Sequence, residues 1–516
     1  MKKMRRFAGL LLAMVMVFAL AVPAMADTAD LTGHTYKAYQ IFSGTQAEGS
    51  SVLGNIEWGT GINSTNFLNA LKASNDFGTP NAFADCTTAQ DVAEVVANWT
   101  DSSAQAKAFA KLAYTNKTGE GITCVSGQTD LDAGYYLVVD VTDFNSEDET
   151  GDSVYNLALL QLTNKGTFEI QNKTSVPTVE KKVDDINDSN NTEDEVQWND
   201  SADYDIGDDV PFKLEATLAD NVEDYYWYKI VFHDTLSAGL TYNYDAKVYF
   251  GETDVTSYFT ITHENGSLTI TCNDVKAFGA TNGSVITVKY TAELNKNAVI
   301  GSVGNPNVVY LEYSNNPNWA PDADNDGTPD VPGSPDEPET PPENPPTSNT
   351  PEDKVIVFTY NVIVNKVDEA GKALAGAGFT LYKWDDDVEG EDKWVAVGSE
   401  IKDVTTFEWK GLDDGDYKLV ETTTPAGYNT IDPIEFTITA THDLESDDPR
   451  LTALSGGDLF TGDVETGALT ADVENKAGAT LPETGGMGTT LFYVIGATLV
   501  LGAAVVMVTR KRMSAN

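Results

Sequence analysis

The chain has 516 residues, 80 of them acidic and 32 basic, for a formal net charge of −48. That balance excludes nucleic acid as a partner, because phosphate neutralisation needs a basic surface. A hydrophobic content of 41% excludes wholesale disorder, and the length suits three or four domains with a solvated, acidic exterior.

Residues 1–26 read as an export signal that is removed. Lys2, Lys3, Arg5 and Arg6 precede an apolar run from Phe7 to Val22, and Ala24-Met25-Ala26 supplies a small-x-small cleavage site. From 27 to 173 the pattern is mixed. "HTYKAYQIF" and "GYYLVVDVTDF" carry the aromatic and β-branched residues of strands. Between them, "AQDVAEVVANW" and "AQAKAFAKLAY" place apolar residues at helical spacing. The first domain is therefore β-rich with a helical insertion. Only three cysteines occur; Cys86 and Cys124 could pair here, leaving Cys272 over, and spacing leaves this open.

Residues 174–316 break into short alternating segments such as "VPFKLEATL", "SLTITCNDV" and "SVITVKYTAEL". Turn residues separate them closely, which predicts an antiparallel, immunoglobulin-like sandwich. Residues 317–353 are proline-rich and read as an extended spacer. Within it "DADNDGTPD" sets Asp322, Asp324, Asp326 and Asp330 in the manner of a calcium loop. Gly333 stands where that loop needs a bidentate Glu, so a solvated acidic linker is the better reading, and no metal or other cofactor is expected. Residues 354–477 form a further β-sandwich, opening with "VIVFTYNVIVNKVD". The fold class is thus mainly β: tandem immunoglobulin-like sandwiches, the first with a helical insertion.

Residues 478–516 combine three features. Leu481, Pro482, Glu483, Thr484 and Gly485 form a box; Leu491 to Val508 is an uncharged, mostly apolar run of bilayer length; Arg510, Lys511 and Arg512 follow. A transmembrane helix with an internal basic tail needs no such box, which points to cutting at that place.

The third domain holds a candidate for covalent chemistry. Lys366 alternates with Val362 and Val364 and so faces inward, as Glu421 does after Tyr417 and Leu419. A buried amine loses its proton readily and a buried carboxyl keeps one. Such a pair beside the Asn475 carboxamide can form an amide cross-link with loss of ammonia. "KVDEAGKALAGAGFTLYK" and "YKLVETTTPAGY" resemble the collagen-adhesin B-type (prealbumin-like) repeat of wall-anchored adhesins and pilins. That resemblance implies Lys366 and Asn475 as the bonded pair and Glu421 as the catalytic acid.

The second domain resembles the middle domain of sortase-assembled pilins through "VPTVEKKVDD", "FHDTLSAGLTYN" and "NPNVVYLEYSNNPN". This implies Lys182, Asp234 and Asn307 in the same roles. Lys181 and Asn305 are near alternatives; Lys182 is preferred because its Lys-Val-Asp register matches that at Lys366. Adjacent strand lysines face opposite sides, so only one enters the core.

Box, span and tail together resemble the sorting signal of Gram-positive surface proteins, in which a sortase cuts between Thr484 and Gly485 and passes the threonine to an amine. By the same resemblance Lys173, in "GTFEIQNKTSVP", aligns with the acceptor lysine of backbone pilins, although the neighbouring residues depart from their pattern; Lys181 is the alternative acceptor. The implied function is a major pilin subunit of a covalent fibre, exported and fixed to the cell wall. Its partners would be sortase, identical subunits and peptidoglycan, with minor pilins and host surface ligands as further candidates. A monomeric wall-anchored or pilus-tip adhesin is the alternative. The chain is expected to be a sortase substrate and not an enzyme: no Ser/His/Asp or Cys/His arrangement is apparent, and His34, His233, His263 and His442 are scattered.

Overall fold

The computed structural model describes residues 35–46, 52–100, 103–124, 129–142, 154–155, 157–162, 164–167, 175–190, 197–321, 338, 340–390, 392–478 and 488–513. The expected signal at 1–26 lies outside them, as do Lys173, the box Leu481–Gly485 and the acidic positions Asp322, Asp324, Asp326 and Asp330.

In the first domain the Tyr36–Gln46 strand lies between Leu53–Trp58 and Gly134–Asp140, and the latter pairs with Leu157–Leu162. The helices Ser64–Ala73, Ala89–Val96 and Ala104–Thr115 form the insertion. Each starts where a side-chain oxygen, from Asn63, Thr88 or Ser103, accepts an orphan backbone N–H, a cap worth about 1 kcal/mol. Their apolar faces join Phe42 and Leu137 of the sheet in one core containing Phe67, Phe83 and Phe109. Cys86 belongs to that core and Cys124 to a smaller one on the sheet's other face. All three cysteines are free thiols, so the pairing left open by their spacing is not formed.

The second domain is a two-sheet sandwich. One sheet runs through Asp209–Thr217 with neighbours Val285–Leu294 and Thr178–Asp184; the other runs through Asn305–Ser314 with neighbours Ile230–Leu236 and Asp353–Phe358. Strand alternation decides the packing: Val210, Phe212, Leu214 and Ala216 all point inward against Phe232 and Leu311 of the facing sheet. Burying each of the larger side chains stabilises by roughly 1.5–3 kcal/mol.

The boundaries expected at 317–353 and 354 do not coincide with the strand pairing. Thr347–Asn349 pairs with residues 312–314, and Asp353–Phe358 pairs with residues 305–309 and, in parallel, with Ser201–Asp203. The chain therefore returns to the second domain after the proline-rich stretch and enters the third only at Tyr360–Asp368. The run reads as one unbroken strand because its two faces serve two cores. Val355 and Val357 point into the second domain, while Ile356, Phe358, Tyr360, Val362 and Val364 point into the third.

In the third domain one sheet has the order Thr406–Leu412, Tyr360–Asp368, Ala468–Asn475, Thr461–Asp463, with the first and last long strands parallel neighbours. The facing sheet is built on Gly378–Trp384, Gly415–Thr423 and Ile434–His442. The run expected to cross a membrane falls within a helix, Gly488–Met513. Among the described residues no helix is long and apolar enough to cross a membrane.

Candidate cross-linking sites

Each of the two C-terminal sandwiches buries a lysine beside an acid and an asparagine. In the third domain Lys366 is fully buried, as is Asn475, and Glu421 nearly so. The parallel register sets Lys366 opposite Val473, and its Nζ donates to the Val473 carbonyl at 2.7 Å. Asn475, two residues on, lies on the same inward face and donates Nδ2 to Glu421 Oε1 and Oε2 at 2.9 and 3.1 Å. Glu421 reaches this point from the facing sheet, and its Oε2 also accepts the Ile431 N–H at 3.1 Å. Burial holds the Lys366 ammonium below its ordinary pKa, with the Glu421 charge opposing the shift. The three residues named from the sequence are thus together.

The second-domain site departs from expectation at its lysine. Lys181, not Lys182, is the buried one, at 0% exposure. Its Nζ donates to Asp234 Oδ2 at 2.7 Å and to the Tyr290 hydroxyl at 3.1 Å. Lys182 turns outward and pairs with Asp200 and Glu180. Parity is the reason: Lys181 shares its face with Val179 and Val183, both packed on the core. Matching the Lys-Val-Asp triplets of the two domains misled, because at Lys366 the inward neighbours precede the lysine whereas here they flank Lys181. Burial also disqualifies Lys181 as an intersubunit acceptor.

Asp234 and Asn307 take the expected places, on adjacent strands of the sheet facing Lys181. The residue that sequence reasoning missed is Tyr290. Its hydroxyl donates to Asp234 Oδ2 at 2.7 Å and accepts Asn307 Nδ2 at 2.7 Å. Amine, carboxylate and carboxamide therefore meet at one phenol oxygen. Tyr290 follows Ile286 and Val288 on the inward face of "SVITVKYTAEL", and that parity was the available signal. Asn305, the other asparagine considered, is fully engaged: it accepts from the Val299 N–H and donates to the Val299 and Val357 carbonyls. It ties the chain together and takes no part in the site. Burial pushes the Lys181 ammonium below its ordinary pKa against the pull of Asp234, and the Tyr290 phenol well above its own.

Among the described residues, the Asn307 Oδ1, Asn475 Oδ1 and Asp234 Oδ1 atoms are buried without hydrogen-bond partners. Unsatisfied buried oxygens cost free energy and are uncommon. Here they occur on the carbon and the carboxyl at which amide chemistry would take place. Among the described residues, no metal-ligand set occurs at either site.

The prealbumin-like fold domain of SpaA matches residues 360–449, and the LPXTG cell wall anchor motif matches residues 473–514. The chain is thus a multidomain β-sandwich protein of the wall-anchored, cell-surface class. The trypsin-resistant surface T6 protein of Streptococcus pyogenes serotype M6 is 25% identical over 409 residues, covering 66% of this chain and 70% of that one. The structure of the T6 backbone pilin of serotype M6 Streptococcus pyogenes aligns with a TM-score of 0.48 and 17% identity over 88% of this chain and 98% of that chain. The full-length major pilin SpaD of Corynebacterium diphtheriae aligns with a TM-score of 0.41 and 17% identity, covering 86% and 93%. By these matches the chain is similar to surface proteins of Gram-positive bacteria that carry a prealbumin-like domain and an LPXTG cell wall anchor.

Proposed function

We propose that this chain is the major, backbone subunit of a covalent pilus, stiffened by one internal isopeptide bond in each of its second and third domains. The observation that carries the reading is the pair of fully buried lysines, each set among an acid and an asparagine. Water-exposed lysines are the rule, and a buried one is retained only where it is paired or reacts.

In the second domain the Lys181 amine passes a proton to Asp234 and attacks Asn307 Cγ. The Nδ2 atom, hydrogen-bonded to Tyr290, takes one proton through that hydroxyl and leaves as ammonia. One C–N bond forms and one breaks, with no oxidant. In the third domain Glu421 touches the leaving nitrogen directly and serves as both acceptor and donor of the proton between Lys366 and Asn475. Half a turn of the Asn475 amide would instead set a protonated Glu421 against its carbonyl oxygen and polarise it.

The LPXTG motif supports anchoring to peptidoglycan by a sortase. Polymerisation would join Thr484 of one copy to Lys173 of the next. Wall extracts boiled in denaturant and probed with antibody to this chain are expected to give a ladder of covalent multimers. The Lys173→Ala strain is expected to show the monomer only. A single monomer band from the unaltered strain would remove the backbone-subunit reading and favour a monomeric adhesin.

The choice of lysine has its own test. Intact mass of the Lys182→Ala protein is expected to show two ammonias lost, as in the unaltered chain, whereas Lys181→Ala is expected to lose only one. The reverse result would restore Lys182 to the site.

A further inference from the structure

The contact between the second and third domains contains an unusual concentration of carboxyl groups. From the second domain come Asp185 and Asp188, on the segment after the first strand, and Asp203, Asp205 and Asp208 around the Ser201–Asp203 strand. From the third come Asp413 and Asp414, in the turn between Thr406–Leu412 and Gly415–Thr423. Two basic groups face these seven acids: Lys383, which reaches Asp188, Asp205 and Asp413 at 2.9, 2.5 and 3.5 Å, and His442, whose Nε2 is 3.8 Å from Asp185 and 4.0 Å from Asp203. The remaining titratable neighbours are Asp184, the phenols of Tyr204, Tyr360 and Tyr417, and Asp443 beyond His442. Tyr360 donates to Asp203 at 2.7 Å and Tyr204 to the Asp184 carbonyl at 2.7 Å.

This contact is built closely. Gly411, at φ +73°, and Gly415, at φ +127°, bring the third-domain turn against Ile206 and Ser189, where a Cβ would approach those side chains to 2.3 and 2.5 Å. A backbone bond crosses the junction from Ile206 N to Gly411 O at 2.9 Å. Asn187 donates to Asp414, and Asp413 N donates to Asp205 at 2.9 Å. Asp203 and Asp413 are almost wholly shielded from water, at 3% and 1% exposure. Like charges held so close in low dielectric cannot all be ionised at once.

We propose that the junction of the second and third domains is a proton-held clasp, in which facing carboxyls from the two domains share protons when closed and loosen their grip when those protons leave. Burial, reinforced by the Asp203 charge, raises Asp185 to about 8 and Asp414 to about 7; burial and Asp205 raise Asp208 to about 6. Asp203 and Asp413 are raised by the same desolvation. Carboxyls whose pKa is higher in the closed state contribute closure that is complete below their ordinary range near pH 4. That contribution is lost as pH rises through the closed-state values, so the junction weakens up to about pH 8. His442, lowered by burial, acts in the opposite sense only below its ordinary pKa, and Lys383, raised by its three carboxylates, stays charged throughout.

The test is amide hydrogen exchange on the mature chain, as protection factors corrected for intrinsic rate, at pH 6 and pH 9 in the presence of EDTA so that no divalent cation replaces the protons. Protection at the Ile206 and Asp413 amides is expected to fall about tenfold or more, since each proton released contributes up to a factor of ten per pH unit. Leu214 and Ile363, within the two domains, are expected to hold. In an Asp185→Asn/Asp414→Asn variant the pH-dependent fall at the junction amides is expected to shrink, with Asp203, Asp208 and Asp413 left to titrate, the core amides again reporting that both domains are folded. Equal protection at pH 6 and pH 9 in the unaltered chain, or an unchanged pH-dependent fall in the variant, would overturn the proposal.

Discussion

The Glu421→Ala protein is expected to retain the Lys366 amine and the Asn475 amide as separate groups, so that its intact mass is one ammonia greater than that of the fully linked chain. Its third domain is expected to unfold at lower temperature and to be cut readily by trypsin. Both oxygens of Glu421 are aimed at the leaving nitrogen, and no other acid among the described residues is hydrogen-bonded to it. The link would close a loop from Lys366 to Asn475, and the analogous entropic effect of a disulfide over roughly 100 residues is about 4–5 kcal/mol. Glu421→Gln separates chemistry from packing, since it keeps the volume and a hydrogen bond but cannot relay a proton. If either variant reaches the linked mass at the normal rate, Glu421 is not the acid.

What the sequence made legible follows from how far each signal depends on local alternation. The sandwich strands, the helical insertion and the inward faces of Lys366 and Glu421 are set by side-chain period alone, and each lies where the period puts it. The second-domain lysine was misassigned when a triplet analogy was allowed to outrank the same period, which already grouped Lys181 with Val179 and Val183. Tyr290 was missed for a different reason. Inward tyrosines are ordinary core residues, and only the facing sheet reveals that this hydroxyl meets Asp234, Lys181 and Asn307. The domain boundary was obscured because residues 355–364 supply two cores from opposite faces of one run, so no polar break marks the crossing. The junction acids of the second domain lie in a run from Asp184 to Asp209 that holds no base, and local pattern alone gives such a run no partner. Their partners, Lys383, Asp413 and Asp414, are about 200 residues away and nothing local couples them.

Asp234→Ala is expected to have the largest effect on the second domain, and Tyr290→Phe decides what the phenol contributes. Removing the carboxylate leaves Lys181 buried with the Tyr290 hydroxyl as its remaining side-chain hydrogen-bond partner, and breaking a buried pair in this way costs about 3–5 kcal/mol. Cross-linking should also cease, because the amine has lost the group that takes its proton. Tyr290→Phe preserves the ring that stacks on Phe212 at 5.3 Å but leaves Asn307 Nδ2 without its acceptor, a loss of about 1–3 kcal/mol. Cross-linking would then be slowed and not abolished, since Asp234 still accepts the proton while the leaving nitrogen lacks its donor. If both groups serve one relay, the double variant should form no less product than Asp234→Ala alone, and its stability loss should fall short of the sum of the single losses. The measurement is the fraction of chains lacking the second ammonia, followed over time after synthesis, alongside the melting temperature of each variant. A Tyr290→Phe protein that links as fast as the unaltered chain would make the tyrosine a packing residue, and the route from Lys181 to the departing nitrogen would have to run through Asp234 alone.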